Sequence, residues 1–117
     1  MSISSSNALV FPVNELNFAA EVLDSPIPVL IDVSAAWCAP CKVAAPVVSA
    51  VAERHRGALK VVLIDGEESP ALVARLGVRG FPTFLAVSGG VVRETLAGFR
   101  GQKPLEAMAA RLLGAGS

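Results

Sequence analysis

Residues 29–42 read VLIDVSAAWCAPCK. The opening run, Val29 to Val33, is apolar without alternation apart from Asp32, as a strand buried on both faces would be. Strands of that kind lie in parallel sheets covered by helices, so this stretch argues for an α/β fold. Its end reads as a helix start. Cys38 stands where the helix begins, and Pro40 fits a first turn, where only an orphan N–H is lost. The same stretch holds the only two cysteines of the chain, Cys38 and Cys41.

Outward from it, the chain alternates. Val10 and Phe11 form a short strand that Pro12 should stop. In NELNFAAEVLDS (14–25), Leu16, Ala19, Ala20 and Leu23 recur at helical spacing, with Asn14 or Asn17 as N-cap. Residues 25–28 make a turn. The helix that begins at Cys38 should run through Arg56 to Gly57, with a kink at Pro46, which cannot donate to the Lys42 carbonyl. Leu59–Ile64 is a second buried strand. Ser69-Pro70 opens a helix that Gly77 closes. Thr83–Val87 and Val91–Leu96 flank Ser88-Gly89-Gly90 as a hairpin. Pro104 opens a last helix ending at Leu113-Gly114, and the end LLGAGS should fray. The order is βαβαβα followed by ββα. Helical crossovers require parallel pairs and the hairpin an antiparallel one, so the sheet is mixed.

The 117 residues suit a single domain, 1–117. Lys+Arg and Asp+Glu both number 10, and a chain without net charge does not bind nucleic acid by bulk electrostatics. No apolar run could span a membrane, and the first residues lack the charged and apolar regions of a signal peptide. A cytoplasmic protein follows as the default. In that reducing setting a Cys-x-x-Cys pair is catalytic or metal-binding sooner than a structural staple.

Three chemistries are open to the pair. It could be two small packed hydrophobes. It could be half of a metal site, but the one histidine, His55, falls at the far end of the same helix, which leaves only a site shared between chains. There His55 reads as a solvated residue complementing the helix dipole. Or it could be a redox dithiol. A thiol attacks only as thiolate, and a helix N-terminus favours the negative sulfur at Cys38. Cys41, in the same first turn, could then resolve a mixed disulfide.

The motif WCAPCK resembles the WCGPCK of the thioredoxin family, and the likeness extends over nearly the whole chain. VLIDVSAAWCAPCK is similar to VLVDFWAxWCGPCK, SPALVARLGVRGFPTF (69–84) to NPxLAxxYGIRGIPTL, and SGGVVRETLAGF (88–99) to NGEVVxxxVGA. Three ordered motifs make a far more specific signal than Cys-x-x-Cys alone. The resemblance implies a thioredoxin fold, a mixed five-stranded sheet in the order 1-3-2-4-5 with about four helices on its two faces. It implies a monomeric protein-disulfide reductase working by dithiol–disulfide exchange, with Cys38 as nucleophile and Cys41 as resolving thiol. Its substrates would be disulfide-containing proteins, and a thioredoxin reductase would supply the electrons. No metal or bound cofactor is implied, and the chain has no Gly-rich dinucleotide fingerprint of its own.

Asp32 lies six positions before Cys38 in an apolar strand, where a carboxylate costs several kcal/mol unless neutralised or paired. Desolvation should raise its pKa. By itself it is either a proton-exchanging acid or a strand-end Asp capping a loop; the resemblance implies the acid that assists deprotonation of Cys41. Pro82 is either an ordinary trans turn or, as the resemblance implies, a cis proline facing the cysteines. That loop would bring the Phe81 backbone against the pair to meet an extended substrate segment. Trp37, Phe81 and the turn at Gly98 would rim Cys38, with Pro40 between the cysteines as a further substrate contact. Trp37 reads equally as a core residue.

Four positions depart from the family pattern. Ala39 replaces a glycine between the cysteines and puts the redox poise in question. Val33-Ser34 replaces a pair usually aromatic. Leu63 stands where a lysine is frequent, so Asp32 should be harder to ionise. Leu76 replaces a tyrosine. Two rival readings follow: an oxidase or isomerase with shifted poise, and a binding module on the same fold.

Overall fold

Burial of β2 (Val29–Ser34) on both faces organises the molecule, a computed structural model that describes residues 9–115. Alternate side chains of a strand point to opposite faces. Leu30 therefore enters one core, and Ile31 and Val33 the other. On the first face Leu30 meets Val61 and Phe84 beneath α1 (Ala39–Arg54) and α3 (Gln102–Ala115), which contribute Val48, Val51, Leu105 and Met108. On the second, Ile31, Ile64 and Leu85 pack beneath a π-helical segment (Ala19–Leu23) and α2 (Pro70–Leu76), which supply Val22 and Leu72. These three layers bury both sides of one sheet, as the near-continuous apolar strands require.

The sheet order is β1-β3-β2-β4-β5, with β1 at Val10–Val13, β3 at Lys60–Asp65, β4 at Thr83–Ser88 and β5 at Val91–Ala97. β1 and β2 run parallel to β3, while β4 is antiparallel to β2 and to β5. The mixed sheet and its order are those expected. Gly89 and Gly90, both with positive φ (60° and 77°), form the two-residue turn whose twist suits a β4–β5 hairpin.

Four expectations need correction. β1 does not stop at Pro12 but continues to Val13. It is an edge strand, where a proline needs no ladder bond on its open side. The segment 14–25 is not an α-helix buried through Leu16, Ala19 and Ala20. Leu16 is 95% exposed, Phe18 and Val22 occupy the core, and only Ala19–Leu23 is helical, closed by an Asp24 N–H bond to the Ala19 carbonyl. Asn14 caps the turn before it, its Oδ1 accepting from the N–H of Leu16 at 2.8 Å. α1 ends at Arg54 with His55 as C-cap, short of Arg56, and Pro46 lies inside its 16 residues. α3 starts at Gln102, ahead of Pro104, and its helical span to Ala115 reaches into the end LLGAGS. Residues 116–117, and residues 1–8, on which the reading of the N-terminus rested, lie outside the described residues. No described helix is long and apolar enough to cross a membrane.

Candidate active site

The chain leaves β2 at Ser34, turns through Ala35–Trp37 and enters α1 with Cys38 as its N-cap. Cys38 keeps an extended backbone (φ −87°, ψ 112°), and its N–H donates to the Ala35 carbonyl at 3.2 Å. Its Sγ accepts the backbone N–H of Cys41 at 3.2 Å. One of the orphan donors of the first turn thus points at sulfur, where a developing thiolate is stabilised by hydrogen bonding and by the helix dipole. Cys38 and Cys41 are joined as a disulfide, with Cα atoms 5.3 Å apart. Both are nearly buried, at 3% and 6% exposed.

Of the remaining sequence-derived residues, Phe81 touches this pair, and Pro82, Gly98 and Trp37 gather around Phe81. The Phe81 side chain packs against the small cluster of Ala35, Cys38 and Cys41. The Phe81–Pro82 peptide is cis, so the trans alternative falls away. The loop is held at both ends. Thr83 Oγ1 donates to the Gly80 carbonyl at 2.7 Å, and the Gly98 N–H donates to the Pro82 carbonyl at 2.8 Å. Gly98 thus ties the end of β5 to the proline loop. A groove of about 420 Å³ runs beside Phe81, Pro82, Ala97 and Gly98. Trp37 is not a core residue: it is 65% exposed and stands edge-on to Phe81, with ring centroids 5.9 Å apart. Pro40 is exposed in the first turn of α1.

Asp32 does not line that groove. It is 3% exposed and opens on a cleft of about 360 Å³ that Cys41, Lys42 and Leu63 also line. Desolvation pushes its pKa up to about 6, while a hydrogen bond from Ser34 acts in the opposite direction. It does not cap a loop; its partner is the Ser34 hydroxyl, which donates to Oδ1 at 2.5 Å. Among the described residues no group of three or more His, Cys, Asp or Glu could hold a metal ion.

Two residues were missed from the sequence. Ser34 was read only as lost bulk, although its place two residues after Asp32 on one strand already put the two side chains on one face. Glu67 accepts a hydrogen bond from the Trp37 indole Nε1. The two are 30 residues apart, and nothing local links them.

Two cysteines that close on each other at a helix start can pass two electrons to another disulfide by exchange. Fold and site together define a thiol–disulfide oxidoreductase. The family model described as Thioredoxin matches residues 9–111. The chain is 42% identical over 78 residues to Thioredoxin 1 of Nostoc sp., covering 67% of this chain and 73% of that one. It is 36% identical over 97 residues to the thioredoxin of Porphyra purpurea (83% and 91% covered) and 38% over 89 residues to that of Haemophilus influenzae (76% and 83%). The chain belongs to the thioredoxin family. Its reaction is dithiol–disulfide exchange, and its activity is that of a protein-disulfide reductase.

Proposed function

We propose that Cys38 is the attacking sulfur, Cys41 the resolving thiol, Asp32 the acceptor of the Cys41 proton, and Pro82 the residue that shapes the substrate groove. The observation that carries this reading is the Cys41 N–H directed at Cys38 Sγ at the N-cap of α1. In the reduced protein, Cys38 thiolate attacks one sulfur of a substrate disulfide, and the other sulfur leaves as thiolate. The Cys41 thiol then gives its proton to the Asp32 carboxylate and attacks Cys38 Sγ. The second substrate thiolate departs, the Cys38–Cys41 disulfide closes, and two electrons have passed to the substrate. Phe81, Pro82 and Gly98 offer backbone to an extended substrate segment, with Trp37 and Pro40 at its rim. A thioredoxin reductase returns the two electrons. The chain works as one monomeric domain, 1–117, in the cytoplasm.

The test is trapping. Cys38→Ser should abolish reduction of a model protein disulfide. Cys41→Ser should still attack and accumulate a mixed disulfide, located at Cys38 by mass spectrometry. An adduct at Cys41 in the Cys38→Ser protein, with none at Cys38 in the other, would reverse the assignment.

A further inference from the structure

Asp32 has one polar neighbour that its own strand supplies. Ser34 Oγ donates to Asp32 Oδ1 at 2.5 Å. Beside the carboxyl in the sheet stand Leu63 on β3 and Phe84 on β4, both apolar. The charged groups on the cleft are Lys42 from α1 and Asp65 at the end of β3, of opposite sign. Asp65 Oδ1 accepts the N–H groups of Glu67 and Glu68, and Lys42 forms no ion pair with Asp32. Asp32 and Cys41 both line this cleft, and the hydrogen bond to the carboxyl is made at Oδ1.

Resting on the reading of Asp32 as proton acceptor, we propose that Ser34 is a positioning residue for the exchange reaction: its hydroxyl fixes Oδ1 and leaves Oδ2 facing the cleft to take the Cys41 proton. A hydrogen bond donated to a carboxylate favours the charged form. Where the sheet neighbours of Asp32 offer no charge, that bond is what keeps the carboxyl ionisable close to neutrality. In the step served, the Cys41 S–H bond breaks and its proton moves to Oδ2. The new thiolate bonds to Cys38 as the Cys38–substrate bond breaks, and the substrate sulfur leaves with the electron pair. Nothing else is oxidised or reduced.

The experiment is the pH profile of substrate release from the mixed disulfide, measured in single turnover with a disulfide-bonded peptide from pH 5 to 9. Carbon-13 titration of the Asp32 carboxyl accompanies it. Ser34→Ala and Ser34→Val should each move the profile midpoint up by about one pH unit, slowing release about tenfold on its acid side. Ser34→Thr, which has the shape of valine but keeps the hydroxyl, should restore the wild-type midpoint. In an Asp32→Asn background the Ser34 variants should have no further effect. If Asp32→Asn abolishes the pH dependence while Ser34→Ala and Ser34→Val leave the midpoint in place, Ser34 has no such role and the reading of Asp32 survives. If Asp32→Asn leaves the profile unchanged, both are overturned.

Discussion

Leu63 is the register partner of Asp32 on the neighbouring parallel strand, so an isobutyl group flanks the buried carboxyl where a cation could have stood. Phe84 flanks it on the other side, from β4. Between two apolar neighbours the carboxyl loses water without gaining a counter-charge. That is the physical origin of its raised pKa.

Stability should therefore depend on pH through this group. The folded pKa of about 6 lies above the ordinary 3.8, so the native state holds the proton more tightly than the unfolded chain. Stability from Asp32 is fully present below about pH 4 and is lost as pH rises through about 6. At about 1.4 kcal/mol per pH unit, the loss is on the order of 3 kcal/mol above neutrality. Asp32→Asn cannot ionise, so its advantage over wild type should grow across that window and level off beyond it. Denaturant unfolding of both oxidised proteins from pH 3.5 to 8 checks this, and a constant difference would contradict it.

Leu63→Lys should lower the Asp32 pKa. A cation beside a carboxylate favours its charged form, commonly by 1–3 pH units. Leu63 is 38% exposed, so a lysine there can carry its ammonium toward solvent, and about one unit is expected. Carbon-13 titration of Asp32 measures it. The pH-dependent loss of stability should shrink in step.

Gly66→Ala should disturb the site more than the fold. A Cβ on Gly66 would overlap the outer edge of the Phe81 ring. The ring can swing away, at a cost of roughly 1–3 kcal/mol for overpacking. But that ring is also the one packed against Cys38 and Cys41 and edge-on to Trp37. KM for a protein disulfide should rise several-fold while the unfolding midpoint falls modestly. An unchanged KM would separate Phe81 from substrate capture.

The reduction potential should lie near the reductase end of the scale. Thioredoxin's own established value is about −270 mV, against about −120 mV for a strong oxidase. Ala39 brings neither charge nor imidazole next to Cys38, and Leu63 acts on Asp32 and only indirectly on the sulfurs. Nothing in the sequence thus favours thiolate over disulfide strongly enough for a large shift. Equilibration in graded glutathione buffers, read by fluorescence of Trp37, the single tryptophan, gives the midpoint. A value nearer −120 mV would show that Ala39 does more than its chemistry suggests.

Much of this site was legible because its parts are local. A doubly apolar strand, a short loop and a helix start fall within residues 29–42, and Cys38 and Cys41 share one helical turn whatever surrounds them. The Gly89-Gly90 hairpin and the helix between Ser69 and Gly77 were likewise fixed by neighbours in sequence. The segment 14–25 was not. Leu16, Ala19, Ala20 and Leu23 satisfy a helical period as well as Phe18 and Val22 do, and only the sheet they meet decides which set is buried. The same holds at the rim of the site. Trp37 could have filled a core or faced solvent; Glu67 and Phe81, 30 and 44 positions further along the chain, hold it outside. Periodicity reports which residues can share a face. Which face loses its water is decided by packing between distant segments, and the environment of Asp32 was set there too, by Leu63 and Phe84 arriving on neighbouring strands.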